Sequence, residues 1–133
     1  MIPKMSNDHK KTGLNAETVC TKYLEKQNYE IISRNYHSPY GEIDIIAKDG
    51  NYLVFIEVKY RAEKNEDFAL NSVSYQKQRK LIKTALCYFA KNEQYETLFS
   101  RFDIIVIFPG ADENSFEIIQ YKDAFQAEDV DFE

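Results

Sequence analysis

The chain has 133 residues, of which 44% are hydrophobic and 14% aromatic, and it carries a formal net charge of −5 at pH 7. A chain of this length buries one ordinary hydrophobic core, which excludes two full-sized domains. Residues 1–10 contain no apolar stretch of signal-peptide length, and no later segment approaches the ~20 apolar residues of a membrane span. We therefore expect a cytoplasmic protein that has no membrane partner.

The acidic balance argues against nucleic-acid binding by the chain as a whole, because Lys and Arg that neutralise phosphates supply most of that affinity. Four acids and no base lie in residues 128–133, so removing these four charges leaves −1 for residues 1–127. A domain with a net charge this close to zero can still have a basic face. We predict one domain over residues 1–127, with its core over about 12–125, and a solvated acidic tail over 128–133.

The first half of the chain predicts one helix and three strands. Apolar side chains recur at helical spacing over residues 12–27, which indicates an amphipathic helix. Residues 29–35 are β-prone, and a second strand follows over about 42–48. The run Asp49-Gly50-Asn51 is typical of a tight hairpin turn, so the next strand, over 52–60, should pair antiparallel with the second.

The second half predicts one long helix and two strands. Residues 61–71 are polar and indicate a surface loop, after which Ser72 or Ser74 caps a helix that ends at about Asn92. Its predicted apolar face consists of Ile82, Ala85, Leu86 and Phe89, and its basic residues are Lys77, Arg79, Lys80 and Lys83. Residues 102–108 have the apolar character of a buried strand that Asp103 interrupts, and 116–121 resemble an edge strand. The order α-β-β-β-α-β-β predicts an α/β fold with a central mixed sheet of about five strands flanked by helices.

Charged residues follow the apolar part of the third strand. Strict alternation puts Glu57, Lys59 and Arg61 on one face of this strand, and it puts Glu42, Asp44 and Ile46 on one face of the second. Counting back from the hairpin turn brings Asp44 beside Glu57. Two carboxylates and one ammonium group should therefore converge.

Such a cluster has two interpretations. In the first, Lys59 forms an ion pair with Glu57 or Asp44 that only neutralises charge. In the second, the two carboxylates bind Mg²⁺ or Mn²⁺, because Lys59 alone cannot neutralise both. A divalent metal there suits phosphodiester hydrolysis, since it lowers the pKa of an attacking water and screens the developing charge.

The cysteine and histidine spacing does not favour zinc. Cys20 and Cys87 lie far apart in helical patterns, and we expect two reduced, mostly buried thiols. His9 and His37 are equally distant from any paired ligand spacing.

These residues resemble the YraN family of small bacterial proteins. That family is assigned to the PD-(D/E)-x-K, restriction-endonuclease-like nuclease superfamily and is likened to archaeal Holliday-junction resolvases. The resemblance runs from about residue 13 to 125, and its motifs are Gly13, Ala16-Glu17, Arg34-Asn35, Gly41-Glu42-Ile43-Asp44, the run from Val54 to Arg61, the run from Lys77 to Leu81, and Arg101-Phe102-Asp103.

The resemblance implies a restriction-endonuclease-like fold and a metal-dependent endonuclease that acts on structured or branched DNA. It implies Asp44 and Glu57 as metal ligands, Glu42 as an additional acid, Lys59 as the catalytic lysine, and Glu17 as the helix carboxylate that completes the site. The substrate-facing candidates are Arg34, Arg61, Lys77 and Gln78, for which solvated surface roles are the alternative. Resolvase-like enzymes act as dimers, so we expect a homodimer by analogy.

Two other functions fit parts of the pattern. A nucleic-acid-binding or assembly module without catalysis would retain the fold, and the acidic charge balance motivates it. The paired carboxylates could instead be the acid and base of a glycoside hydrolase. The absence of Trp argues against that function, as does the lack of a role for Lys59 in such a site.

Overall fold

The structure is a computed structural model, and it describes residues 16–62, 73–112 and 114–127. The start of the predicted first helix (12–15), most of the predicted loop after Arg61 and the acidic tail (128–133) lie outside the described residues. Within the described ranges, no helix is both long enough and apolar enough to cross a membrane.

The helices and strands follow the predicted order. The helices are α1 (Ala16–Lys26) and α2 (Tyr75–Lys91), and the strands are β1 (Glu30–Ser38), β2 (Gly41–Asp49), β3 (Tyr52–Tyr60), β4 (Phe99–Pro109) and β5 (Phe116–Phe125). A 3₁₀ turn, Glu93–Tyr95, lies between α2 and β4. Ser74, one of the two predicted caps, begins α2, and its hydroxyl accepts a hydrogen bond from the Lys77 N–H at 3.1 Å.

The five strands form one mixed sheet in the order β1-β2-β3-β4-β5. The β3–β4 pair is parallel and the other three pairs are antiparallel. The predicted hairpin is confirmed, since Asp49 pairs with Tyr52 and Gly50 adopts a φ of +59° in the turn between them. The predicted α/β fold with a mixed sheet of five strands is therefore confirmed, although β5 is longer than the segment predicted for it.

Each face of the sheet packs against one helix. On the α1 side the buried core consists of Cys20, Leu24, Tyr29, Ile45, Ala47, Val54, Ile56 and Ile105. On the α2 side it includes Ile43, Ile46, Leu53, Phe55, Leu81, Ile82, Ala85, Tyr88, Phe102 and Ile104. The predicted apolar face of α2 is wrong at Leu86, which is 59% exposed, because the face centres on the row that contains Leu81 and Tyr88.

Alternation along β2 breaks at Asp44. Ile43 packs in the α2-side core together with Ile46, whereas Ile45 packs in the α1-side core. Strict alternation would place Ile43 with Ile45, so the prediction that Glu42, Asp44 and Ile46 share one face is wrong. Because of the break, Ile43 packs in the α2-side core, whereas regular alternation would place it in the α1-side core.

Asp103, which interrupts the apolar run of β4, is fully buried and fully hydrogen-bonded. It accepts hydrogen bonds from Arg101 Nε at 2.9 Å, from Gln120 Nε2 at 2.9 Å and from the backbone N–H of Asp123 at 2.9 Å. Arg101 also reaches Asp49 Oδ2 at 3.1 Å. Burial lowers the pKa of Arg101, but Asp103, Tyr29 and Asp49 together raise it by more. This network ties β4 and β5 to the hairpin turn.

Candidate functional site

Strands β2 and β3 separate at Asp44. Their register ends at the Ile45–Ile56 pair, so Asp44 and Glu57 would be the next partners along the ladder. Instead, Asp44 Oδ2 accepts a hydrogen bond from the backbone N–H of Val58 at 2.8 Å. A side chain thus takes the place of a backbone acceptor, and it holds the Asp44 carboxylate in the gap between the strands.

Glu57 is a buried carboxyl group beside Asp44. The residue is 7% exposed, and its Oε2 is buried with no hydrogen-bond partner among the described residues. Burial, a hydrogen bond with Asp44 and the negative charge of Asp44 raise the pKa of Glu57 from 4.5 to about 8. Ionisation of Glu57 beside Asp44 therefore calls for a compensating cation.

Two lysines provide part of that compensation. Lys77 Nζ lies 3.6 Å from Glu57 Oε2. The charges of Lys77 and Lys59 both lower the pKa of Glu57, and the effect of Lys77 is the larger. Lys77 is therefore the lysine within ion-pair distance of Glu57, whereas Lys59, predicted for that ion pair, acts on Glu57 only through its charge. Even together, the two cations leave the pKa of Glu57 above its ordinary value.

Glu17 approaches the cluster from the first turn of α1. Burial raises its pKa, and the charge of Asp44 raises it further. A hydrogen bond from the Asn35 side chain and the charge of Arg34, whose Nη2 lies 4.0 Å from Glu17 Oε1, oppose this shift. Glu17, the helix carboxylate predicted for the site, is thus close enough for the charge of Asp44 to affect its pKa, and its role stays a prediction.

Glu42 lies at the margin of the cluster. Its carboxylate is exposed and lies 3.1 Å from His37 Nδ1, across the β1–β2 pair. Its charge makes a small contribution to the raised pKa of Glu17. The structure does not bring the Glu42 carboxylate to Asp44 and Glu57, and its predicted role as a metal ligand stays untested.

The four predicted substrate-facing residues have different surroundings. Lys77 contacts Glu57, and Arg34 Nη2 donates to Thr18 Oγ1 at 3.1 Å. Gln78 Nε2 donates to the carbonyl of Val73 at 3.1 Å, and Arg61 Nη1 donates to the carbonyl of Tyr60 at 2.8 Å. Of the four, Lys77 is the one whose side chain contacts a candidate metal ligand, Glu57.

Asn35 is a site residue to which sequence reasoning assigned no role. The β1–β2 register places it opposite Asp44, and its φ of +54° is one that Asn tolerates better than most residues. Its side chain lowers the pKa of Glu17, against the effect of burial. The sequence signal for Asn35 is its place in the Arg34-Asn35 motif, of which only Arg34 was given a predicted role.

The site fits a hard divalent cation that keeps part of its water shell. Within residues 16–62, 73–112 and 114–127, no three His, Cys, Asp or Glu side chains form a group that could hold a metal ion alone. Mg²⁺ is commonly bound through one or two carboxylates, with waters and substrate phosphates completing its shell. Asp44 and Glu57 provide such a pair, and buried oxygens of Glu57 and Glu17 have no hydrogen-bond partner among the described residues. The donor set is all oxygen, which does not suit zinc.

Comparison with known proteins gives one family. The profile of the "Uncharacterised protein family UPF0102" matches residues 16–107. The chain is 41% identical to a "UPF0102 protein" of Lachnoclostridium phytofermentans over 115 residues, covering 86% of this chain and 92% of that protein. It is 43% identical to one of Francisella tularensis subsp. novicida over 114 residues, covering 85% and 92%, and 44% identical to one of Acinetobacter baumannii strain AYE over 90 residues, covering 68% of each. The YraN resemblance is confirmed at this level: the chain belongs to the UPF0102 family.

Proposed function

We propose that this chain is a Mg²⁺- or Mn²⁺-dependent endonuclease that hydrolyses phosphodiester bonds in structured or branched DNA. The observation that carries the proposal is the pair of carboxyl groups, Asp44 and Glu57, held together where β2 and β3 separate, with Lys59 and Lys77 beside them. Buried acids are costly unless cations compensate them, and the two lysines leave the pKa of Glu57 raised. Membership of the restriction-endonuclease-like superfamily is part of this proposal.

The residues have distinct roles in the proposed reaction. Asp44 and Glu57 bind the cation, and the N–H of Val58 fixes the orientation of the Asp44 carboxylate. A bound Mg²⁺ supplies charge that lowers the pKa of an attacking water and stabilises negative charge developing on the phosphate. Lys59 orients the nucleophile or contacts the scissile phosphate. Lys77, whose Nζ lies 3.6 Å from Glu57 Oε2, favours the ionised form of Glu57, which is the form that binds a cation.

The charge distribution supports a nucleic-acid substrate despite the net charge of −5. The 17 residues of α2 contain no Asp or Glu and five bases, which are Lys77, Arg79, Lys80, Lys83 and Lys91. Lys77 lies in the first turn of α2, where the helix dipole disfavours a cation. The bases of α2 provide positive charge that can bind phosphates. Because the first turn of α2 lies at the carboxylate pair, a strand bound along this helix is led to the site.

The geometry argues against a glycoside hydrolase. The two carboxyl groups of a retaining glycosidase are about 5 Å apart, and those of an inverting one are further apart. Asp44 and Glu57 follow directly on the last β2–β3 pair, and the charge of Asp44 raises the pKa of Glu57, so the two carboxyl groups lie beside each other. Their closeness suits joint binding of one cation.

The first test is metal binding followed by melting temperature, which needs no substrate. Mg²⁺ or Mn²⁺ should raise the melting temperature of the wild-type protein, and Asp44→Asn should abolish the response. Glu25→Gln, which removes an exposed carboxylate of α1, is the matched control and should retain it. A flat titration of the wild type would favour the ion-pair interpretation.

The second test is cleavage of flap, junction, single-stranded and duplex DNA with each metal. Asp44→Ala, Glu57→Ala and Lys59→Ala should each abolish cleavage while the circular dichroism spectrum is unchanged, and Glu25→Gln should cleave normally. Failure of the wild type to cut any substrate with either metal would contradict the proposed activity.

Binding without catalysis is the second candidate function, and the uniformly basic α2 is the observation that favours it. In this case, substrate affinity should fall with salt and be unaffected by Asp44→Ala in the absence of metal. Salt-sensitive binding without cleavage and without a metal response would select this function over the first.

A further inference from the structure

Tyr40 is an exposed aromatic residue at the same end of β2 as Asp44. It lies in the turn between β1 and β2, and its side chain is 50% exposed. The ammonium group of Lys83, on α2, lies 5.4 Å from the centre of its ring. The turn therefore presents a flat apolar surface with a cation on one side of it.

The turn that carries Tyr40 is fixed to α2. The hydroxyl of Ser38 accepts a hydrogen bond from the Tyr40 N–H at 3.1 Å and lies 2.9 Å from the hydroxyl of Thr84. Gly41 lies against α2, since a Cβ built on it would be in ordinary van der Waals contact with Cβ of Lys80, at 3.5 Å. Because these contacts hold the backbone of the turn, little backbone ordering is needed when the turn binds a ligand.

A row of cations runs from this ring to the carboxylate pair. Lys83 contacts Tyr40, Lys80 packs beside Gly41, and Lys77 contacts Glu57. Their spacing of three residues keeps them on one side of α2, over a rise of about 9 Å. On β2, Tyr40 and Asp44 are four residues apart, which is about 13 Å along a strand. A segment of a few nucleotides covers this distance.

We propose that Tyr40, together with Lys80 and Lys83, forms a binding site for an unpaired nucleotide of single-stranded DNA, with the base stacked on the Tyr40 ring and the phosphates beside the lysines. Stacking on aromatic rings along a basic groove is the usual mode of single-strand binding. A paired base inside a duplex offers no free face to such a ring. The site therefore selects branched or flapped DNA that has unpaired nucleotides close to the branch.

Cleavage next to this site rests on the proposed function, whereas binding at Tyr40 does not. If the site exists, the unpaired strand enters along Tyr40 and Lys83, and its phosphate backbone follows the lysine row toward Asp44 and Glu57. The substrate class is then set by a surface separate from the cleavage chemistry.

Fluorescence anisotropy in EDTA tests the binding without cleavage. The probes are a DNA hairpin with a short unpaired extension and the same hairpin with a blunt end. Tyr40→Ala should weaken binding of the extended probe by between about 5-fold and about 140-fold and change the blunt probe by less than about 2-fold. Tyr40→Phe should bind the extended probe as the wild type does.

Tyr52→Ala is the matched control. Tyr52 is also exposed, at 41%, and also has a cation near its ring, since Arg101 Cζ lies 5.3 Å from the ring centre. It lies at the other end of the sheet, beside the hairpin turn that precedes β3. Its substitution should leave both probes unaffected.

Two further measurements separate stacking from a structural role. A 2-aminopurine in the extension should be quenched by wild-type protein and by Tyr40→Phe, and it should stay bright with Tyr40→Ala. Lys83→Gln should reduce the slope of log affinity against log salt by about one.

The possible results test the binding site and the nuclease activity separately. Equal loss of both probes in Tyr40→Ala, an equal effect of Tyr52→Ala, or no preference of the wild type for the extended probe would overturn the binding site. Selective binding with an intact Tyr40 effect, but no cleavage with either metal, would overturn the proposed nuclease activity and leave the binding site standing.

Discussion

Replacing Glu57 by Gln should stabilise the protein in the absence of divalent metal, and the gain should grow with pH. The pKa of Glu57 is raised from 4.5 to about 8, first by burial and then by Asp44. The folded state therefore holds a proton that the unfolded state releases above pH 4.5. Stability from this proton is fully present below pH 4.5 and is lost as the pH rises toward 8.

The size of the effect follows from the same shift. A change from 4.5 to about 8 corresponds to roughly 5 kcal/mol at most, at 1.36 kcal/mol per pKa unit. Entry of water and relaxation of the protein around the ionised group reduce this value, so we expect Glu57→Gln to gain about 1 to 3 kcal/mol over the wild type at pH 8.5. Near pH 4.5 the two proteins should differ little on account of ionisation.

Urea unfolding in EDTA at several pH values between 4.5 and 9 measures this difference. Comparison of the two proteins at each pH cancels the other titrating groups, and Glu25→Gln, at an exposed site on α1, controls for the loss of one carboxylate. Saturating Mg²⁺ should stabilise the wild type and leave Glu57→Gln nearly unchanged, because the metal replaces the proton. A difference between wild type and Glu57→Gln that is constant from pH 4.5 to 9 would refute the reasoning, since Glu57 would then be ionised throughout.

Three further results test other parts of the structure. Asp103→Ala leaves a buried guanidinium without its main partner and should cost about 3 to 5 kcal/mol in urea unfolding, and a loss under 1 kcal/mol would contradict the network. Lys77→Met should destabilise metal-free wild-type protein above pH 7, because Lys77 lowers the pKa of Glu57, and should have less effect in the Glu57→Gln background. An equal effect in both would show that the two residues are not coupled. Burial and the charges of Asp44 and Glu17 raise the pKa of Cys20 to about 12. At pH 8 a disulfide reagent should therefore react with the half-buried Cys87 and should not react with Cys20 until urea unfolds the protein. Rapid reaction of both thiols in the folded protein would contradict the burial of Cys20.

Much of the fold is predictable from local pattern. The order of elements, the hairpin between β2 and β3, the bounds of β3 and the Ser74 cap all depend on turn chemistry, capping and apolar periodicity within short stretches of chain. Leu86 was misassigned because its spacing is compatible with the apolar face, while the packed face of α2 is centred on Leu81 and Tyr88. Which residues of a helix are buried is decided by the surface against which it packs.

The site was predictable in part for a related reason. Alternation and the turn correctly place Asp44 beside Glu57, because the register is counted from a well-defined turn. The same reasoning fails for Glu42, because alternation breaks at Asp44 and because His37 pairs with Glu42 across β1. The contact of Lys77 with Glu57 joins elements far apart in sequence, and no local pattern determines it. Sequence thus identifies the acids of the site better than the cations around them.

The two buried acid clusters of this sheet allow a direct comparison. Asp103 lies in β4 opposite Ile56 of β3, and its oxygens accept hydrogen bonds from Arg101, Gln120 and a backbone N–H. Its charge is neutralised within the chain, so this cluster needs no ligand. Glu57 lies one residue further along β3, and it has a buried oxygen without a hydrogen-bond partner among the described residues, while its pKa stays raised beside two lysines.

Both acids are buried, so the clusters differ mainly in their hydrogen-bond donors. Asp103 has donors for both of its oxygens, and Glu57 does not within the part of the chain that the structure describes. Donors of the chain could have surrounded Glu57 as they surround Asp103. At Asp44 and Glu57, one backbone N–H donates to Asp44, and a buried oxygen of Glu57 has no hydrogen-bond donor among the described residues. An acidic cluster that is completed internally is structural, whereas one that is left incomplete beside a basic helix is what the proposed binding of a cation and a phosphate requires. This contrast is the strongest structural reason to assign chemistry to Asp44 and Glu57 and stability to Asp103.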